Sequence, residues 1–298
     1  MPSFRSAKAQ ASHAVSSKIA LGSSRHDNKD DGLIHAVRTA QAYKGALTGY
    51  TEFLQDNRLG DLKSATAETA QMYLAERQEA RLSQKTLDQD RQAIQCHLAQ
   101  KLDRVQALEK TALATRSYTR DQVREIASNQ SGRNSLATQI THAAGLRASE
   151  LNTLRPVSER PASTHRTWSA DRFTGRSGER YTVAGKGGLI REVLIPHELA
   201  VRLEATRIAG GPVPVTDRGV HGEKYYNIGG GKNWSTSFSR VSENRLGWSN
   251  GGHGLRHSYA QQRMGELQGG GFQYELALAT VAQELGHFSP STTEAYLR

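Results

Sequence analysis

Apolar residues recur at three- and four-residue steps along most of this 298-residue chain, and a single stretch breaks into strand-like alternation. Steps of that size line up side chains on one face of a helix, so the chain has to bury its apolar surface mainly by packing helix on helix. Val37, Ala40, Tyr43, Leu47, Tyr50 and Leu54 make the first stripe, on a helix ending near "DNRLGD". A second helix is expected from Thr66 to about Arg81 and a third from Ser83 to about Leu102, with Leu87, Ile94, Leu98 and Leu102 on one face. These segments compose a small all-helical domain over residues 35–108.

Residues 1–34, rich in Ser, Ala, Lys and Asp, show no sustained period and are expected to form a flexible polar tail. The stretch 109–118, within "LEKTALATRSY", reads as a linker, and a second domain is expected over 119–298. It opens with a capping box, since Thr119 and Gln122 stand three residues apart ahead of Val123 and Ile126. One long helix is then expected through "SLATQITHAAGLRASELNTL", burying Leu136, Ile140, Ala143, Leu151 and Leu154. Strand character is confined to "ERYTVAGKGGLIREVLIP", which reads as a hairpin with Lys186 at its tip. Helices are expected again at 196–208 and 234–246, in "GLRHSYAQQRMGEL" and "YELALATVAQEL", and at the end in "STTEAYLR", with 209–233 as loop. The fold class is therefore mainly α with a small β-sheet.

Charge and cysteine content narrow the partners. A net charge of +10 attracts polyanions before any specific contact forms, which puts nucleic acid first among candidate ligands. Cys96 is the only cysteine, so an intrachain disulfide and a thiolate-rich metal site are both excluded, as suits a reducing cytoplasm. Neither a signal peptide nor a stretch of membrane-spanning length is visible. The Gly-rich pieces "GGGKNW" and "AGKGG" lack the spacing of a phosphate-binding loop, and "HGLRH" lacks the acidic residue of a zinc protease.

Arg147 in "GLRASEL", Lys186 in "AGKGG", His253 and Arg256 in "HGLRHSYA", and His287 with Tyr296 in "LGHFSPSTTEAY" are the candidate chemical groups. Taken singly, each has a structural explanation, Arg147 as a partner of Glu150 and Tyr296 as an aromatic that tucks in the last helix. In this order and with these local sequences, the chain resembles the tyrosine recombinase (phage integrase) family from about residue 36 to the end. The most specific pieces are Gly145, Leu146 and Arg147 followed by Glu150 and Leu151, the His-x-x-Arg of His253 and Arg256, and Leu285, Gly286 and His287 nine residues before Tyr296.

The resemblance implies a helical core-binding domain plus a mixed α/β catalytic domain that cleave and rejoin duplex DNA through a 3′-phosphotyrosine. Tyr296 is the expected nucleophile, whose ester conserves the energy of the broken bond. Arg147 and Arg256 are expected on the phosphate oxygens, since a guanidinium offers paired planar donors and keeps its charge. Lys186 is expected to protonate the leaving 5′-oxygen, His253 to help deprotonate the phenol, His287 to hydrogen-bond a non-bridging oxygen and Glu150 to orient Arg147. Lys85 and Arg91 on the third helix are candidate DNA contacts. No cofactor or metal is implied.

The expected partners are duplex DNA with an inverted-repeat core site and, on two such sites, a homotetramer exchanging strands through a Holliday junction; off DNA the chain is expected as a monomer or weak oligomer. Accessory DNA-bending or directionality proteins, a mobile-element setting and a nucleoid-associated cytoplasmic location complete the expectation. Type IB topoisomerase relaxation and sequence-specific binding without chemistry are the two rivals. Two features depart from the family pattern. "GELQGGGFQYE" lengthens the spacing from Arg256 to His287 and is expected as a loop. Only two residues follow Tyr296, so either other contacts hold the assembly or the chain is shortened.

Overall fold

The computed structural model describes residues 6–20, 31–109, 115–185 and 188–297. The chain divides into two compact units, Met1–Ala112 and Leu113–Arg298, a break that falls inside the stretch 109–118. Among the described residues no helix is long and apolar enough to cross a membrane.

The first unit holds α1 (Ala7–Ser16), α2 (Val37–Asp56), α3 (Ala67–Glu79) and α4 (Gln84–Leu98). Its core gathers Leu47, Tyr50 and Leu54 from α2 with Leu74 from α3 and Ile94 from α4. Local chemistry sets the ends: Thr66 and Thr69 form a capping box ahead of α3, and the Ser83 hydroxyl accepts from the Thr86 N–H ahead of α4. Ala99, at φ +53°, closes α4 in the left-handed conformation. Leu102 therefore lies beyond the helix, although it is buried as expected.

Residues 1–34 do not behave throughout as a polar tail. Ser6 caps α1, Ala11 and Val15 are buried in the core, and the Gln10 side chain accepts from the Leu62 N–H at 3.1 Å. Ile19 forms a parallel bridge with Ile34, and Lys18 donates to the Cys96 carbonyl. The buried stripe is Ala7, Ala11 and Val15, a four-residue repeat built mostly of alanine, whose small side chains carry little hydrophobic signal.

The second unit opens with α5 (Arg120–Ser128) and α6 (Gly132–Ala144), then a 3-10 turn over Glu150–Thr153. The capping box of Thr119 and Gln122 is present. The single long helix expected through "SLATQITHAAGLRASELNTL" is broken by Gly145, which takes φ +61° at the end of α6. Strands β1 (Arg155–Pro156), β2 (Glu179–Ala184) and β3 (Ile190–Ile195) follow as an antiparallel sheet in that order, Tyr181 opposite Val193 and Val183 opposite Arg191.

After α7 (His197–Glu204), the region 209–233 is not simply loop: β4 (Val213–Asp217) and β5 (Val220–Lys224) pair as a second hairpin. Its residues are mostly exposed, so the inside-outside alternation that reveals a strand in sequence is missing. The last helices are α8 (Gly231–Leu246), α9 (Gly254–Gly269), α10 (Tyr274–Glu284) and α11 (Pro290–Glu294). The expected insertion loop is largely helical: its first five residues, Gly265–Gly269, lengthen α9 and its last two, Tyr274 and Glu275, begin α10, leaving only residues 270–273 as the connection. One core lies beneath the sheet among α5, α6 and α8, and a second joins α9 and α10 to Tyr296.

Because α1 supplies core surface, Val15→Asp should lower the stability of the first unit by about 3 kcal/mol, the order expected for burying an unpaired polar group. Thermal unfolding of the variant, followed by circular dichroism, measures this; an unchanged midpoint would mean that α1 is dispensable.

Candidate active site

Gly145 begins the site. Its left-handed turn ends α6 and aims the chain away from the helix axis, and a Cβ there would lie 2.7 Å from the Tyr259 ring. Leu146 then buries its side chain, which fixes the direction of Arg147. Glu150 folds back on the turn: one carboxylate oxygen accepts from the Arg147 N–H at 2.8 Å and the other from Arg147 Nη1 at 2.7 Å. The two residues meet across a turn of chain, not along a helix face.

Two further guanidiniums converge on this carboxylate. Arg191 comes from β3, 1% exposed, and donates Nη2 to Glu150 Oε2 at 2.8 Å. Arg256, fully buried in the first turn of α9, has its Nη1 3.9 Å from the same oxygen. Both also bond to backbone carbonyls: Arg256 to those of Gly145 and Leu285, Arg191 to those of Gly145 and Glu284. The acceptors at 284 and 285 close α10, so the two cations sit at the negative end of its dipole. Gly286 turns the chain there at φ +70°, where a Cβ would press on Arg191 Cδ at 2.6 Å.

That turn presents His287. Its Nε2 lies 3.0 Å from Arg147 Nη2 and 3.3 Å from Arg256 Nη2. Guanidiniums only donate, so Nε2 is the acceptor and the ring proton resides on Nδ1, which lies 3.5 Å from the Thr293 hydroxyl. Beyond the short α11, Tyr296 turns inward and is 9% exposed. Its ring centroid stands 5.4 Å from His253, 4.7 Å from His257 and 5.4 Å from His287, with the Arg256 guanidinium carbon 5.6 Å from it. Gln261 donates to the Tyr296 carbonyl at 3.2 Å and so ties the end of the chain to α9.

The charges follow from this packing. Burial pushes the Glu150 carboxyl up, but Arg191, Arg256 and Arg147 overcome it and hold the pKa down at about 2. Burial and the neighbouring Arg147 bring Arg256 down to about 10. His287 is lowered to about 3 by burial and by Arg256, Arg147 and Arg191. His253, although exposed, is lowered to about 4 by its surroundings and by Arg256; His257 shifts the same way through burial and Arg116. The three imidazoles around the phenol are thus neutral at pH 7. Among the described residues no group of three or more His, Cys, Asp or Glu side chains could hold a metal ion.

Five of the six residues singled out for chemistry, Arg147, His253, Arg256, His287 and Tyr296, come together here with Glu150. The sixth, Lys186, lies outside the described residues. Its neighbour Gly185 is at the site, where a Cβ would stand 3.4 Å from Glu150 Oε1 and 3.7 Å from Arg147 Nη1. Two residues of the site were not anticipated. Arg191 had a signal, a lone cation inside the apolar run "LIREVLI"; His257 stands one helical turn beyond His253. On α4, Lys85 is exposed, whereas the Arg91 guanidinium is occupied by Gln95, the Leu102 carbonyl and Asp88.

Acid should loosen this site. A carboxyl held near 2 in the fold against an ordinary 4.5 contributes stability above about pH 4.5 that is lost as pH falls through about 2. Imidazoles held near 3 to 4 against 6.5 contribute stability above about pH 6.5 that is lost as pH falls toward those values. Glu150→Gln should cost about 3–5 kcal/mol at pH 7, because it leaves buried guanidiniums without their anion. Urea melts from pH 7 down to pH 3 measure both effects, and a variant as stable as the parent at pH 7 would contradict this account.

Comparison with protein-family models and with curated protein sequences gives no match. Solved structures do match over most of the chain. A XerH site-specific recombinase bound to difH substrate, in a pre-cleavage complex, superposes with a TM-score of 0.55 at 17% identity, over 99% of this chain and 94% of that one. A lambda integrase dimer bound to a COC′ core site gives 0.55 at 14% identity, over 92% of this chain and 75% of that one. The Tn1549 transposon integrase in complex with transposon right end DNA gives 0.52 at 15% identity, covering 99% and 95%. On these superpositions, the chain has the fold of the tyrosine recombinases.

Proposed function

We propose that this protein is a tyrosine site-specific recombinase that cuts and rejoins duplex DNA through a covalent phosphotyrosine. One observation carries the reading: residues from separated parts of the chain surround the Tyr296 phenol with three neutral imidazoles and set two guanidiniums, Arg147 and Arg256, against His287. A packing tyrosine needs no such surroundings. The solved structures that share the fold are of recombinases and integrases in complex with DNA.

In the proposed reaction the Tyr296 oxygen attacks a backbone phosphorus, giving its proton to the neutral imidazole of His253. A bond forms from the phenolic oxygen to phosphorus and the bond to the 5′-oxygen breaks, leaving a 3′-phosphotyrosine and a 5′-hydroxyl. Lys186 supplies the proton that the 5′-oxygen takes up. Arg147 and Arg256 donate to the non-bridging oxygens as charge grows there, and Glu150 with Arg191 keeps them in place so that little reorganisation is needed. An entering phosphate gives both guanidiniums a better acceptor than His287 Nε2, which frees that nitrogen to carry a proton and donate. The ester retains the energy of the broken bond, so attack by a 5′-hydroxyl from the same or another duplex reseals the strand. His257, packed closest to the phenol, positions it.

Strand exchange would take four protomers on two inverted-repeat sites. Lys85, exposed on α4, is available to a DNA phosphate, whereas Arg91 serves the helical unit itself.

Covalent trapping tests the reading. The protein and Tyr296→Phe are incubated with nicked duplexes drawn from the DNA flanking its own gene, then denatured, and protein-linked DNA is sequenced. The parent should enrich one inverted-repeat site while Tyr296→Phe forms no adduct yet still binds that site. Arg147→Gln should slow adduct formation by about 10²–10³-fold, the loss typical of removing one donor to a developing oxyanion. Adducts scattered over unrelated sequences would favour topoisomerase-like relaxation, and specific binding without any adduct would favour a DNA-binding protein lacking the chemistry.

A further inference from the structure

Phe288 follows His287 and is 39% exposed, an aromatic ring left at the surface next in the chain to a histidine that touches Arg147 and Arg256. It is not a loose side chain. Trp168 packs against it at 5.1 Å between centroids, tilted by 55°, and the Arg166 guanidinium covers it at 4.9 Å. Arg172 in turn lies 4.7 Å over the Trp168 ring.

The segment that brings these residues here, between β1 and β2, is firmly docked. Ser163 exchanges two hydrogen bonds with Ile190 at the start of β3, its N–H donating at 2.9 Å and its hydroxyl accepting at 3.0 Å. The Trp168 indole donates to the Ser163 carbonyl at 3.0 Å, and the Ser169 N–H donates to the Gln283 side chain at 2.7 Å. Trp168 and Phe288 are therefore held in advance with little rotamer freedom left to lose, a condition that favours binding of a flat ligand. Arg166 makes no hydrogen bond or ion pair among the described residues and is exposed, so the Phe288 ring is the contact it gives up in turning to an anion, and that turn bares the ring's face.

An exposed aromatic ring whose covering guanidinium is held by nothing else fits a nucleotide, with the base taking the guanidinium's place on the ring and the phosphate pairing with the displaced cation. Inside a duplex, bases are stacked on one another and offer no face. Cleavage changes this, because the strand ending in the 5′-hydroxyl is no longer tethered at the phosphate and its terminal bases can leave their partners. We propose that Phe288, Trp168 and Arg166 form a stacking platform that receives the unpaired base at the released 5′-hydroxyl end. The proposal rests on the recombinase reading above. It assigns the platform to holding the cut strand, a task separate from the attack on phosphorus.

The test compares two duplexes of one sequence, one blunt and one with a three-nucleotide 5′-hydroxyl overhang carrying 2-aminopurine at its end. The full-length protein should bind the overhang duplex about tenfold more tightly and quench the 2-aminopurine, the scale of one base-aromatic stack. Phe288→Leu should remove both the preference and the quenching. Arg166→Ala, a change at an exposed side chain that leaves the fold undisturbed, should reduce the preference and serves as a second reading should Phe288→Leu misfold. Equal binding of the two duplexes without quenching would overturn the proposal, as would quenching that survives Phe288→Leu. Failure to bind either duplex would instead overturn the recombinase reading beneath it, and covalent trapping detects that failure separately.

Discussion

The buried carboxylate of Glu150 is the interaction on which the site depends. It gathers Arg147, Arg191 and Arg256, which belong to a turn after α6, to β3 and to α9, around one anion without access to water. Without it these guanidiniums would repel one another and the desolvation of two of them would go uncompensated. With it, the turn, the sheet and the last helices share one fixed point, and the carbonyls that end α10 are held by the same cations. The orientation of Arg147 is thus set by the same contacts that join the secondary-structure elements.

The tyrosine reaches that point by a different route. Its ring packs in the smaller core with residues of α9 and α10, and its carbonyl is tied to Gln261. α11 spans five residues, too few for a helix to hold itself together in water, so what fixes Tyr296 is tertiary packing. The imidazoles around it, held down by burial at His257 and His287 and by nearby guanidiniums at all three, are neutral at physiological pH, the state in which one of them can take a proton.

Much of this was legible in the sequence, for identifiable reasons. Long apolar stripes such as Val37 to Leu54 announce helices because their period extends over many turns, and the capping pair Thr119 and Gln122 marks a boundary within a residue. The chemical groups could be read because Arg147, His253, Arg256, His287 and Tyr296 each sit in a distinctive local sequence. What escaped lacked such contrast. The α1 stripe is mainly alanine, and the β4–β5 hairpin has no buried face to produce alternation. Gly145 breaks a run that is otherwise helical in period, because one left-handed residue outweighs several favourable propensities. Arg191 and His257 left a trace in the sequence, a cation inside an apolar run and a histidine one turn beyond His253, but their partners are brought to them only by the fold.

One further consequence follows from the charges gathered at Glu150. Three guanidiniums against one carboxylate leave this part of the protein with two positive charges in excess, two of the three cations being wholly enclosed. Such an excess raises the free energy of the native state, so the surroundings of Glu150 are under electrostatic strain. An oxyanion that enters lowers the energy of the native chain and leaves the unfolded one untouched, so binding and folding are thermodynamically linked at this point. Replacing one of these arginines with a neutral residue that fills the same space would relieve that repulsion and, in the same step, remove a donor to any such oxyanion, so that resistance to unfolding and affinity for an anion pull in opposite directions here.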